Sequence, residues 1–323
     1  MSSIQQAGMA HFKQFALRRD AFIYYIFLAV LCVFAIVLHD TAFMTVDNML
    51  NIIRQTAPIT VMAVGLTFAL AVGHIDLSIG SVVALSAIVG AILLQYTGIG
   101  LAVAGALLIG VSIGLINGLL IERLQVSSLL ITLGTMGVVT GVARQLSNLE
   151  SIPIINQDFN LAFGAGDLFG IPSLLWWTLG VAFIGYIAMN KLVFGRHLLA
   201  VGGSPKAALA MGIRVTRLRV YTLVISSVAA ALAGLLYAGR LHGARYTLGE
   251  ADLLTVIAAV AIGGTSLFGG RACIIGAILG SWLMGVINNG LILSGFSTNE
   301  QMIARGLILI IAVAIGVKEL KNG

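Results

Sequence analysis

The stretch Leu101–Ile121, LAVAGALLIGVSIGLINGLLI, holds no charged residue, and its reading decides the fold. About twenty consecutive apolar residues, each adding 1.5 Å of α-helical rise, match the ~30 Å hydrocarbon core of a bilayer. Lipid offers no hydrogen bonds, so the backbone of such a run must satisfy itself as a helix. The short alternating strands of a membrane barrel would look different, because this run is unbroken.

The same pattern recurs outward in both directions. Candidate spans run Ala21 to Leu38, Thr56 to Gly73, Leu77 to Gln95, Leu101 to Ile121 and Ser127 to Leu146. They continue as Ser173 to Asn190, Val220 to Ala238, Leu253 to Phe268, Cys273 to Ser294 and Gln301 to Val317. Composition agrees: 59% of the 323 residues are apolar and 9% are charged. A soluble protein carries roughly 25% charged residues, and thirty here could not cover a water-exposed surface of this size. The expected fold is all-α, a polytopic membrane helix bundle of about ten transmembrane helices. Gly-rich breaks near Leu77 and Leu253 are expected to be kinks or re-entrant turns.

Charge orients the bundle. With the N-terminus in the cytoplasm, Lys13, Arg18, Arg19, Arg123, Lys191, Arg196, Lys206, Arg214, Arg217, Arg219, Arg271, Lys318 and Lys321 fall on the cytoplasmic side. Only Arg54, Arg144, Arg240, Arg245 and Arg305 fall outside. That excess is the positive-inside bias, and an odd helix count would destroy it. Both termini are therefore expected in the cytoplasm, and the net charge of +6 reads as topology, with no nucleic-acid partner. The chain divides into an N-terminal segment 1–20, a transmembrane domain 21–317 and a tail 318–323. The first span lacks a small-residue cleavage site and is expected to be retained. Cys32 and Cys273 lie in apolar runs and read as buried small hydrophobes, without a disulfide or metal framework.

One cytoplasmic loop, about 191–219, exceeds a minimal connection. Ser204 to Met211 reads as a short helix with Ser204 as N-cap, Pro205 in the first turn and Gly212 as terminator. Its bland alternative is a basic anchor on lipid headgroups. Small-residue ridges at Gly110, Gly114 and Gly118, at Gly137 and Gly141, and at Gly276 and Gly280 are expected to bring helices close together. Asp76, in Gly73-His74-Ile75-Asp76-Leu77-Ser78-Ile79-Gly80, is costly at membrane depth. It either caps a backbone break together with Ser78, takes part directly in transport, or surfaces in a loop. His74 reads as a polar helix-end residue, since no second ligand stands at metal-site spacing. Asn117, Asn288, Asn289, Thr132, Thr135 and Thr140 either bond between helices or line a path.

No G-x-x-x-x-G-K-[S/T] phosphate loop occurs, nor a Gly-x-Ser-x-Gly elbow or a His-Glu-x-x-His zinc helix. Apart from Asp76 no acidic residue lies near a span's interior, so an ion-coupled pump is under-equipped. A transporter of this composition takes its energy from a partner.

From about Phe43 to Val317 the chain resembles the permease subunits of bacterial ABC-type monosaccharide importers, the ribose, xylose, arabinose and galactose group. Five segments carry the resemblance, in the family's order: Gly73 to Gly80; Gly114-Leu-Ile-Asn-Gly118 with Leu130-Ile-Thr-Leu-Gly-Thr-Met136; Phe194 to Gly212; Ile257 to Ser266 with Gly269-Gly270; and Gly285 to Leu291. Differences stand at His74, where the family has a second Gly, and at Val126-Ser127-Ser128, where a Pro is common. Ser204 stands for Asn, and Leu253-Leu254 for Glu-Leu.

The resemblance implies a subunit of the bacterial inner membrane that is not itself an enzyme and holds no cofactor. Its partners would be a second permease subunit, identical or a sister, a cytoplasmic ATP-binding subunit, and an extracytoplasmic sugar-binding protein. Coupling to the ATPase is assigned to Gly202, Gly203, Ser204, Pro205, Ala207, Ala208 and Gly212. The translocation path or gate is assigned to Asp76, Ser78, Asn117, Thr132 and Asn288. Glu150, Asp158, Arg245, Glu250 and Asp252 are assigned to contact with the binding protein. The alternatives are a permease for nucleosides or branched-chain amino acids, and a self-sufficient channel or ion-coupled carrier.

Overall fold

The computed structural model describes residues 23–321, so the expected segment 1–20 lies outside the described residues. Each expected span meets a helix. These are α1 (Ile23–Val37), α2 (Val46–Ala71), α3 (Ile79–Tyr96), α4 (Ile99–Leu124) and α5 (Ser128–Ser147), then α7 (Ser173–Asn190), α10 (Val215–Leu241), α11 (Asp252–Ile262), α12 (Ile274–Leu293) and α13 (Thr298–Lys321). Three short helices lie between them: α6 (Gln157–Asn160), α8 (Val193–Gly203) and α9 (Pro205–Ala210). Among the described residues, seven helices are long and apolar enough to cross a membrane.

The span expected at Leu253 to Phe268 is the one cut short. Helix α11 has 11 residues, about 16 Å of rise, which is half a hydrocarbon core. It ends at Gly263-Gly264, and the chain then runs without helix to Cys273 before α12 begins. At the other terminus, α13 continues through Lys321 where a tail was expected from residue 318.

Helix α10 is the axis of the bundle and packs against α2, α3 and α4. The α4–α10 contact is backbone on backbone. A Cβ on Gly110, Gly114 or Gly118 would stand 2.7, 2.6 or 2.9 Å from main-chain atoms of Ser227, Val224 and Val220. Gly276 and Gly280 likewise bring α12 onto Gly263 and Ala259 at α11. The ridge at Gly137 and Gly141 makes no such contact, because nothing lies within 4 Å of either site. Its face of α5 points outward with Leu130, Leu133, Val138 and Val142 exposed, as does much of α4 and α7.

Pro58 inside α2 has no N–H to give to the carbonyl of Arg54, four residues earlier. Arg240 of α10 supplies the missing donor, with Nη1 3.2 Å from that oxygen. The cysteines depart from expectation. Cys32 is exposed on α1, and partly buried Cys273 caps α12, its Sγ accepting from Gly276 N at 3.3 Å.

The two ends of the bundle differ in charge. One end gathers the C-terminus of α2, the α4–α5 turn, α8, α9, the start of α10 and the 263–272 loop. Arg123, Lys191, Arg196, Lys206, Arg214, Arg217, Arg219 and Arg271 sit there, and we call it the basic end. The far end carries the small strands: β1 (Ile152–Pro153) pairs with β4 (Gly243–Ala244), and β2 (Asp167–Leu168) with β3 (Ile171–Pro172). The β2–β3 hairpin turns on Phe169 and Gly170, both at positive φ, the geometry that matches strand twist in a two-residue turn.

Candidate functional site

Between α2 and α3 the chain stays unwound from Gly73 to Ser78. Helix α2 stops because Gly73 adopts φ 81. Gly73 N bonds Leu70 O at 2.9 Å and His74 N bonds Ala69 O at 3.0 Å, which is a Schellman termination. The unwound backbone is buried and must find partners for its polar groups. Helix α5 supplies two of them: Ser128 Oγ accepts from Ile75 N and Thr132 Oγ1 from Leu77 N, each at 3.1 Å.

Asp76 is fully buried, and both of its carboxylate oxygens accept hydrogen bonds. Oδ1 accepts from Ser78 N at 3.0 Å and from Ser78 Oγ at 2.6 Å, and Oδ2 accepts from Ser226 Oγ of α10 at 2.9 Å. The Ser78 hydroxyl in turn accepts from Asn117 Nδ2 of α4 at 3.0 Å, and Asn117 Oδ1 accepts from Thr135 of α5 at 2.6 Å. One polar chain thus joins α3, α4, α5 and α10 at the break. Of the two residues expected to cap it, Asp76 does so; Ser78 occupies the N-cap position of α3 without a side-chain bond to the helix.

Beside this network His74 is buried, its Nε2 3.6 Å from Glu122 Oε1 at the end of α4. Glu122 also faces Arg219 Nη1 of α10 at 3.4 Å. Asn288 belongs to a different place: its Oδ1 accepts from Arg305 Nη2 of α13 at 2.7 Å. Asn289 forms a reciprocal amide pair with Asn48 of α2, at 2.9 and 3.0 Å.

The second candidate site is the α8–α9 unit at the basic end. Ser204 caps α9 as expected, its hydroxyl accepting from Ala207 N at 3.3 Å, with Pro205 in the first turn. Gly212, at φ 79, ends it in a second Schellman arrangement, Ile213 N to Ala208 O at 3.1 Å. Ala208 is the buried foot of α9, packed on a cluster that includes Leu198, Val201 and Val72. Lys206 and Ala207 face out, as do Leu209, 66% exposed, and Met211, 82% exposed. Gly202 is wedged against Ala71 O and Gly270 N and has no space for a side chain, whereas Gly203 is open.

A family described as branched-chain amino acid transport system / permease component matches residues 48–313. The chain belongs to this permease family. It is 35% identical over 303 residues to the ribose import permease protein of Haemophilus influenzae, covering 91% of this chain and 94% of that one. It is 37% identical over 283 residues to the ribose import permease protein of Bacillus subtilis, with 87% and 88% covered. The L-arabinose ABC transporter permease protein of Azospirillum brasilense is 36% identical over 273 residues, with 84% and 80% covered. No solved structure gives a significant match.

In this permease, four of the five expected path residues, Asp76, Ser78, Asn117 and Thr132, meet around one unwound segment, while Asn288 stands in a separate contact. Sequence reasoning missed the partners Ser128, Ser226, Glu122 and Arg219. Ser128 and Ser226 each belong to a serine pair, Ser127-Ser128 and Ser226-Ser227, in otherwise apolar sequence, and spacing alone does not say which neighbour either will face. It also missed helix α8, although Phe194, His197, Leu198 and Val201 recur at helical spacing.

Proposed function

We propose that this permease forms the translocation path of an ATP-driven importer, carrying a monosaccharide handed over by an extracytoplasmic binding protein. The observation that carries the reading is similarity along nearly the whole chain to permeases whose names specify ribose import or arabinose ABC transport. The fold supports it with two features a lipid-embedded bundle does not require for its own stability. One is the exposed, apolar and basic α9. The other is the unwound, hydrogen-bonded segment 73–78.

In this reading the basic end faces the cytoplasm of a bacterium, across its inner membrane. Helix α9, with Gly202, Gly203, Ser204, Pro205, Ala207, Ala208 and Gly212, docks on a separate ATP-binding subunit. ATP hydrolysis belongs to that subunit. Asp76, Ser78, Asn117 and Thr132 hold the shape of a gate at segment 73–78. Asp76 acts as the cap of the break and does not touch the solute, because both of its oxygens are already engaged. Asn288, held by Arg305, lines the path elsewhere. A second permease subunit, identical or sister, completes the path, and the far-end loops with Glu150, Asp158, Arg245 and Glu250 meet the binding protein, while Asp252, expected among them, accepts from the Tyr237 hydroxyl at 2.6 Å within the bundle.

The test is affinity purification of the tagged permease from mild detergent, with identification of what accompanies it. Recovery of an ATPase chain that is lost when residues 204–211 are scrambled supports the reading. Recovery of the permease alone, in a preparation that transports sugar without ATP, overturns it.

A further inference from the structure

Glu122 lies at the end of α4 among the cations of the basic end, and its side chain is only 6% exposed. A buried carboxylate must be compensated. Two groups face it, from two directions: Arg219 Nη1 at 3.4 Å from α10, and His74 Nε2 at 3.6 Å from the unwound segment. The Arg219 contact has hydrogen-bond geometry; the His74 contact does not, and His74 Nε2 is buried with no hydrogen-bond partner. A buried polar nitrogen left unpaired carries a cost of desolvation. It stands less than 1 Å from a good bond to a carboxylate.

The position of this gap in the fold gives it meaning. Arg219 lies in the second turn of α10, and α10 follows α9 after a connection of only Met211 to Arg214. That connection is pinned by Ile213 N to Ala208 O at 3.1 Å and Val215 N to Ile213 O at 2.9 Å. A displacement of α9 is therefore passed to the start of α10. The glycine ridge of α4 sits directly on the α10 backbone, so Glu122 at the end of α4 follows the same movement. Segment 73–78 is held differently at its two ends: Asp76 and Ser78 bond Ser226 of α10 and Asn117 of α4, whereas Gly73, His74 and Ile75 bond, among the described residues, only α2 and α5 through the backbone. The 3.6 Å His74–Glu122 contact lies where the His74 end of the segment faces α4 and α10.

We propose that His74, Glu122 and Arg219 form a latch: displacement of α9 closes the His74–Glu122 contact and thereby couples the docking helix to the His74 end of the unwound segment, beyond the bond that already ties Asp76 to α10. Resting on the importer reading, the latch makes His74 a positioning residue. It touches neither sugar nor nucleotide and acts through the segment it holds.

The test is sugar uptake and ATP hydrolysis by the permease reconstituted in vesicles with the ATPase and binding protein that co-purify with it. His74→Gly and Glu122→Gln should assemble normally and retain ATP hydrolysis, yet move at least about five-fold less sugar per ATP, the lower range of allosteric coupling. His74→Gln, which keeps a polar hydrogen near Glu122, should restore most of the ratio. The double variant His74→Gly/Glu122→Gln should be no worse than either single one, as expected for two ends of one contact. A sugar-per-ATP ratio within twofold of wild type in both single variants overturns the latch alone. Additive losses in the double variant, or no rescue by glutamine, also overturn it by reducing His74 to a packing residue. Wild-type uptake that needs no ATP overturns the latch and the importer reading together.

Discussion

At the residue scale, the decisive fact about Asp76 is that its carboxylate accepts three hydrogen bonds within 3.0 Å, from Ser78 N, Ser78 Oγ and Ser226 Oγ. An amide can reproduce most of this, since one oxygen still accepts from Ser78 and the new NH2 can donate to the Ser226 hydroxyl. Asp76→Asn is therefore expected to keep thermal stability in detergent close to wild type. Asp76→Leu removes the acceptor of two hydroxyl protons and a backbone N–H, at about 1–3 kcal/mol each, and should be recovered poorly or melt well below wild type. Equal melting of the two variants would remove the capping role. A second contrast concerns glycine. Gly114→Val forces a side chain into the backbone of α10 at Val224 and Leu223, costing about 1–3 kcal/mol or disrupting the packing outright. Gly137→Ala meets open space within this chain and should be neutral for its melting. The sequence showed the same small-residue spacing at both places; which ridge had a partner depended on helix rotation, which spacing does not encode. His74 was read as a helix-end residue, and it is one; its opposition to Glu122, 48 positions away in the chain, was not visible to local reading.

At the element scale, what the sequence made legible were features with local causes. Ser204, Pro205 and Gly212 cap and terminate α9 with no help from the rest of the fold, so the helix was expected within a residue of its bounds. The unwound segment 73–78 was foreshadowed by Gly73, Asp76 and Ser78, whereas its length depended on Ser128 and Thr132 accepting its backbone N–H groups from α5. Helix α11 was overestimated because its apolar composition continues past Ile262; Gly263 and Gly264 stop it where α12 crosses closely at Gly276. A prediction belongs to α9. Ala207 faces outward between Lys206 and the buried Ala208, so a larger side chain there leaves the fold of α9 intact while altering its outer surface. Ala207→Glu is expected to insert normally and to lower both ATPase recovery and uptake on the order of tenfold, equivalent to ~1.4 kcal/mol of docking energy. Unchanged recovery and uptake would remove α9 from the docking surface. Gly203→Ala should be tolerated beside it, and Gly202→Ala should not, because only Gly202 is wedged against Ala71 and Gly270.

At the scale of the whole molecule, each of the ten expected spans meets a helix, seven of them long and apolar enough to cross a membrane among the described residues, and the shortening of α11 leaves the sorting of charge in place. A half-helix followed by a return loop still carries the chain from the far end to the basic end, where Gly269 and Gly270, just before Arg271, pack on Gly202 and Gly203. The far end holds Asp40, Asp47, Glu150, Asp158, Asp167, Glu250, Asp252 and Glu300 against five arginines. Among the described residues this asymmetry is a property of the folded molecule as well as of the sequence, and retention of Lys and Arg on the cytoplasmic side makes it a statement about orientation. Labelling with a membrane-impermeant maleimide decides it. Asp158→Cys, on an exposed far-end loop, is expected to react in intact cells. Lys206→Cys, exposed on α9, should react only after the membrane is opened. The wild-type chain, with Cys32 and Cys273, sets the background. The reverse pattern would turn the bundle over and place α9 outside the cell, beyond reach of a cytoplasmic ATPase. Docking by α9 would then fail even if every contact within the permease stood as described, which makes orientation the premise that the coupling experiments must share.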